Sequence, residues 1–367
     1  MLLWILLILS AAYSCYGGKT QYNETEARML LNLAAGAYSE MPEICVNKTL
    51  AAEEGWILYS ELSSVCDIIS SLCSGYILRS DALKQIIIVF RGTRTKKQLL
   101  TEGWQGIQPG VDFYGIGKVN RYFHGALLTL WPLIEPVVAD SNFSSYSITL
   151  TGHSLGGALA SLAAMKIILD GHRNKDQIKV ITFGQPRVGD RDYAFKFDEL
   201  IPYCFRIVHR IDIVPHLPAC KKNKNDIETR RTNSKKCDPT VPGHSYHHGT
   251  EIWYPTGMGS NAEYFECVGE PRNEDFICSD SLNFEVEQYK KYVDDHRRYF
   301  DHRVPWFGKA GCVEVADAIN ETESVLGEEI KPELPEDEND STNRRRFSFK
   351  RVVEKVKNVI RNFSFEH

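Results

Sequence analysis

Short apolar runs, each closed by a polar or glycine-rich loop, set the rhythm of the middle of the chain. Lys84–Phe90 reads KQIIIVF, a continuous β-branched run suited to a strand buried on both faces of a largely parallel sheet. It ends in Arg91-Gly92-Thr93. Further runs at Tyr146–Leu150, Lys179–Phe183, Phe205–His209 and Thr250–Tyr254 predict more strands of the same kind. Between them the period changes. Glu24–Ser39 carries apolar residues at helical spacing, Phe123–Pro136 reads as a helix joined to its surroundings by prolines, and Gly157–Leu169 is a helix of small residues. Strands alternating with helices predict one α/β domain around an open, mostly parallel sheet, with reactive groups gathered where the strands end. Lys96–Trp104 mixes charge with Leu99, Leu100 and Trp104, and fits either an amphipathic surface helix or a lid with an apolar underside.

Composition adds bounds to this pattern. A chain of 367 residues, 43% hydrophobic and 25% charged, has room for one α/β domain and a remainder. A net charge of −5 gives no electrostatic reason to expect nucleic acid as a partner. The ends differ from the middle. Residues 1–17 form an apolar block too short to cross a bilayer comfortably, with small residues at its end, and read as a secretory signal peptide. No Lys or Arg precedes that block, so an uncleaved anchor is the alternative. Residues 20–312 are assigned to the domain. Residues 313–367 form a tail, acidic over Glu321–Asp340, where disorder is expected, and basic over Arg344–Arg361. The basic stretch interleaves Phe347, Phe349, Val352, Val353, Val356 and Ile360 and is read as a solvated tail, with a lipid-surface helix as the sharper alternative.

Ten cysteines agree with export, since no metal-ligand spacing appears among them. Cys220 with Cys237, Cys267 with Cys278, and Cys66 with Cys73 each bracket a short stretch that a disulfide could close. Cys45 and Cys312 flank the domain and could tie its ends, which leaves Cys204 in YCFRIVH as a buried free thiol. Sequons at Asn23, Asn47, Asn142, Asn320, Asn339 and Asn362 are compatible with secretion.

The candidate chemistry sits in ITLTGHSLGGALASLAAMK, Ile148–Lys166. Here an apolar strand, a glycine-bracketed serine and a helix follow one another, and Gly152-His153-Ser154-Leu155-Gly156 spells G-x-S-x-G, the nucleophile elbow of α/β-hydrolases. Glycine is needed on both sides because the serine perches on a strained turn against close neighbours. The helix then aims its free amides and its positive dipole end at the site where an oxyanion would form.

Serine alone is a poor nucleophile at neutral pH and needs a histidine to take its proton and a carboxylate to orient that histidine. In this fold the order along the chain is Ser, then Asp or Glu, then His. Asp212 follows the Phe205–His209 strand in RIDIVPHLP and is the expected acid. For the base, the adjacent His247 and His248 in SYHHG compete. No metal or cofactor is expected.

GHSLGG at Gly152–Gly157, FRGT at Phe90–Thr93, TFGQPRVGD at Thr182–Asp190 and RIDIVPHLP at Arg210–Pro218 together resemble the fungal-type (class 3) lipases. The resemblance covers Tyr22–Tyr254, and the extension with Cys267, Cys278 and Cys312 looks more like the nematode members of that family. It implies an α/β-hydrolase fold, Ser154 as nucleophile, Asp212 as acid, and an oxyanion hole from Thr93 and Leu155. It also implies His247 as base, because the family has a Trp six residues after its catalytic His and Trp253 fits, with His248 as runner-up. A lid is implied after the FRGT loop, which favours the lid reading of Lys96–Trp104. Two features depart from the family pattern. Ala126 and Leu127 follow His124-Gly125, which leaves His124 at most a supporting role, and a basic loop, Lys221–Lys236, lies between acid and base.

The expected activity is hydrolysis of a lipid ester, triacylglycerol first, at an oil–water or membrane interface by a secreted enzyme. A soluble carboxylesterase or a phospholipase would share the triad, and a lipid-binding protein without catalysis is the reading from another class.

Overall fold

The computed structural model describes residues 20–66, 72–93, 110–223 and 234–313. The stretch read as a signal peptide, the Lys96–Trp104 segment, most of the basic loop and the residues beyond 313 lie outside them. The chain opens with helices α1 (Glu24–Gly36) and α2 (Pro42–Thr49), then strands β1 (Trp56–Val65), β2 (Leu72–Ser80) and β3 (Gln85–Phe90). Short strands β4 (Val111–Asp112) and β5 (Lys118–Val119) lead into α3 (Arg121–Val138), β6 (Ser147–His153), α4 (Leu155–Leu169) and β7 (Ile178–Phe183). After β8 (Gly189–Asp190) and α5 (Arg191–Leu200) come β9 (Cys204–His209), β10 (Ser245–Tyr246), β11 (Thr250–Tyr254) and β12 (Phe265–Cys267). Helix α6 (Tyr289–His296), the hairpin β13 (Arg298–Tyr299) and β14 (His302–Arg303), and α7 (Val304–Lys309) complete the described chain.

Eight strands form the main sheet in the order β1-β2-β3-β6-β7-β9-β11-β12. From β3 to β11 every pairing is parallel, and β1, β2 and β12 add antiparallel edges. This is the expected α/β sheet, an α/β-hydrolase fold, with the predicted strands in its centre. The β1–β2 hairpin and β12 were not foreseen. In β1, half-buried and exposed positions alternate because it is an edge strand with one face in water, so it carries no solid apolar run.

Both faces of the centre are covered, which explains the unbroken β3 run. Ile86, Ile88 and Phe90 point into one core with α3 and α4, and Ile87 and Val89 into a second core with α1 and α7. Helix α4 is buried on nearly every side and accordingly apolar all round. The prolines expected to bound α3 lie inside it. Pro132 and Pro136 sit four residues apart on its exposed face, where water can take the carbonyls that their missing N–H groups leave free.

All four foreseen pairings are disulfides: Cys45–Cys312, Cys66–Cys73, Cys220–Cys237 and Cys267–Cys278. Cys204 is the free, buried one among the described residues.

Candidate active site

Ser154 stands between the end of β6 and the first turn of α4, with φ 60° and ψ −128°. A non-glycine residue with that backbone is strained, and the surroundings hold it there. The Ser154 amide donates to the carbonyl of Phe183 at 2.8 Å. The flanking glycines are required by close approach: a Cβ on Gly156 would lie 2.2 Å from the Phe90 carbonyl oxygen, and one on Gly152 would lie 2.4 Å from the backbone of Gly156. The elbow is thus packed directly on the end of β3.

Asp212 follows the end of β9 and is fully buried. Its Oδ1 accepts the amide of Val214 at 2.8 Å, and its Oδ2 accepts the hydroxyl of Tyr299 at 2.6 Å. Oδ2 also accepts Nδ1–H of His296 at 2.9 Å. On the other side of that ring, Nε2 of His296 lies 2.8 Å from Oγ of Ser154. A carboxylate only accepts, so the proton of the neutral ring sits on Nδ1 and the hydroxyl of Ser154 donates to Nε2. Burial and the negative charge of Asp212 push the Tyr299 phenol well up, which keeps it a donor.

The histidine in this chain of bonds is His296, not His247, and this corrects the expectation from sequence. His247 leads into β11, whereas Ser154 and Asp212 follow the ends of β6 and β9. Because β11 runs parallel to β9, with Thr250 beside Phe205 and Tyr254 beside His209, residues entering β11 belong to the opposite edge of the sheet. The chain must cross the sheet once more before a histidine can meet Ser154, and α6 delivers it. Nε2 of His247 instead donates to the carbonyl of Pro215 at 2.7 Å. His248 stacks on Phe197, ring centroids 3.9 Å apart, with its Nε2 3.2 Å from Nε2 of Gln185. Trp253, taken as the family's marker, lies within β11 and donates from its indole to the carbonyl of Arg210. One topological signal was available: beyond Tyr254 the sequence holds only His296, His302 and His367.

The family model for lipase (class 3) matches residues 87–222, a stretch that takes in Thr93, Ser154 and Asp212 and stops short of His296. Lipase ZK262.3 of Caenorhabditis elegans is 46% identical over 312 residues, covering 84% of this chain and 88% of that protein. The chain belongs to the class 3 lipases. A lipase of Rhizopus niveus is 30% identical over 253 residues, 67% of this chain and 55% of the fungal protein. Among solved structures, the lipase of Rhizopus microsporus var. chinensis matches with TM-score 0.57 at 24% identity, over 80% of this chain and 91% of that one, and carries the same fold. A triacylglycerol lipase described as having a serine protease triad at its catalytic centre matches with TM-score 0.57 at 23% identity, over 77% of this chain and 96% of that one. The protein is a serine hydrolase of carboxylic esters.

In this lipase the loop after β3 reaches the elbow. A Cβ on Gly92 would lie 2.3 Å from the carbonyl oxygen of His153 and 3.2 Å from Cβ of Ser154, so Thr93 starts from a backbone in contact with the nucleophile. Leu155 is the first residue of α4, where an N–H has no partner within the helix. Leu155 thus directly follows Ser154, and Thr93 follows the glycine packed against it. His124 lies in α3, with its ring edge against Phe113.

Beneath His247 the lipase buries a second polar cluster. Arg187 donates from Nε and Nη2 to both oxygens of Glu274, each at 2.7 Å, and lies 3.4 Å from Asp280. Oε1 of Glu274 also accepts the amide of His247 at 2.9 Å. Arg206 lies 3.6 Å from Glu251 and donates to the carbonyls of His248 and Asn273. Burial and these arginines push His247 well below the ordinary histidine range, and His248 likewise. Burial pushes the Asp280 carboxyl up to about 6. A cavity of about 420 Å³ opens near this cluster, lined by Cys204, Gly249, Thr250, Asp198 and Arg272, and no triad member lines it.

Proposed function

We propose that this class 3 lipase hydrolyses lipid esters, triacylglycerol first, through an acyl-enzyme on Ser154. The observation that carries the reading is the unbroken line of hydrogen bonds from Ser154 through His296 to Asp212. His296 takes the serine proton as Oγ attacks the ester carbonyl, and Asp212 stabilises the imidazolium that results. The amides of Thr93 and Leu155 receive the oxyanion. His296 then passes the proton to the leaving alkoxide, and water, deprotonated by the same ring, releases the acid and restores Ser154.

Triacylglycerol is favoured because one solved structure of this fold is named as a triacylglycerol lipase with such a triad. Export, with residues 1–17 as signal peptide, residues 20–312 as the catalytic domain and residues 313–367 as a tail, is supported by four disulfides. An enzyme working outside the cell on insoluble ester would meet it at an oil–water or membrane interface.

Ser154→Ala tests the reading. Turnover of p-nitrophenyl butyrate should fall to background while the circular dichroism spectrum stays unchanged, and undiminished turnover would sink it. A jump in the rate on a triacylglycerol above its solubility limit separates lipase from soluble esterase, for which the rate saturates smoothly below that limit.

A further inference from the structure

His153, the variable residue between the first glycine and the serine of the elbow, lies directly behind the base. Its ring stacks on that of His296, with centroids 4.7 Å apart and planes at 27°. Nε2 of His153 is 2.7 Å from the main-chain carbonyl oxygen of His296. A carbonyl only accepts, so Nε2 carries the proton. In the neutral ring Nδ1 is then an acceptor, and the hydroxyl of Tyr38, 2.8 Å away, donates to it. All three side chains are buried.

His296 is the last residue of α6, so its carbonyl is one of those a helix leaves without a partner at its C-terminus. The side chain of His296 is fixed by Asp212 and Ser154, and its main chain is fixed by the donor on His153. Burial holds His153 well below the ordinary range and the nearby His296 adds to this, so the ring stays neutral while its neighbour gains and loses a proton.

We propose that His153, oriented by Tyr38, is a positioning residue that caps α6 and holds the backbone of His296 in register with Ser154 and Asp212. The proposal rests on the hydrolase reading above and adds to it a residue that touches neither the substrate nor the reacting atoms. The tautomer follows from the partners: Tyr38 donates to Nδ1, which leaves Nε2–H for the carbonyl.

The test compares full-length His153→Phe, which keeps a ring and loses the donor, with His153→Gln, whose amide can donate again. Loss of register should lower kcat on p-nitrophenyl butyrate by about 10- to 100-fold in His153→Phe, leave KM within about twofold, and slow labelling of Ser154 by a fluorophosphonate in parallel. His153→Gln should recover to within about fivefold of the parent protein at a similar melting temperature. A kcat for His153→Phe within twofold of the parent, or a Gln variant no better than Phe, would overturn the proposal. Should His153→Phe not fold, Tyr38→Phe removes the hydroxyl that orients the His153 ring, and an unchanged labelling rate there would overturn it equally. Absence of labelling in the parent protein would instead overturn the hydrolase reading.

Discussion

Two groups of buried histidine lie against the same sheet, and they differ in what faces the two ring nitrogens. His296 has a carboxylate on Nδ1 and a hydroxyl on Nε2, so a proton can enter on one side while charge is compensated on the other. His247 has a carbonyl on Nε2, no hydrogen-bond partner on Nδ1 among the described residues, and two arginines that disfavour its charged form. The first ring is built to cycle between states. The second is a neutral donor that ties the loop before β11 to the loop after Asp212. Residue type and burial are shared, so the set of partners carries the difference in chemistry.

Exchanging the roles gives the largest effect. His296→Ala should lower turnover of a soluble ester by about 10⁴-fold or more, as loss of a triad base does. His247→Gln, whose amide can still donate to the Pro215 carbonyl, should leave kcat per titrated active site within about threefold. Active-site titration followed by steady-state kinetics on both variants decides this. Loss of turnover in folded His247→Gln, with His296→Ala active, would reverse the assignment.

The second effect belongs to stability. Glu274→Ala leaves Arg187 buried without its bidentate partner and frees the amide of His247, both in the cluster that fastens the extension carrying α6. Removing one partner of a buried ion pair costs about 3–5 kcal/mol. Urea unfolding should show a loss of that order, and kcat of the molecules that remain folded should change little. A combined Arg187→Met and Glu274→Leu protein should lose less than Glu274→Ala, because no charge is stranded. If the single variant unfolds at the parent's urea concentration, the cluster is not a tether.

How much of this was legible in the sequence follows the same division. The elbow was readable because strand, glycines and helix are contiguous, so Ser154 is set by local sterics alone. Asp212 was readable because it comes just after a buried strand, in a loop held by two prolines. The four disulfide pairings followed from cysteines that bracket short loops or the domain ends. The base was not readable in the same way. His296 lies 142 residues from Ser154, on a short, mostly polar helix in an extension beyond the predicted strands. SYHHG lay closer and looked denser in chemistry, but its place before a parallel strand puts it at the wrong edge. Tyr299 was missed for the same reason, since its link to Asp212 spans 87 residues. The role of His153 was hidden because a motif written with x at that position gives the residue no task.

The smallest expected effect compares the same two regions by pH. His153, His216, His247 and His248 all lie well below the ordinary histidine range in the folded protein, chiefly through burial. As pH falls past about 6.5 the unfolded chain binds protons at these rings and the folded one does not, so stability declines with falling pH. Asp280 acts in the opposite sense: pushed up to about 6, it holds a proton when folded that the unfolded chain releases. Burial pushes Asp198 and Glu251 up as well, with the same sign. The decline should therefore set in as pH falls through about 6.5, with the carboxyls opposing it below about pH 6. His247→Gln removes one such ring and should make that slope shallower by at most about 1.4 kcal/mol per pH unit, while the pH dependence of kcat keeps its shape because His296 is untouched. Urea unfolding at pH 8, 7, 6.5 and 6 measures the slope directly. A slope identical to the parent's would mean that His247 already charges in the folded protein, and the contrast between the two histidine groups would then rest on their hydrogen-bond partners alone.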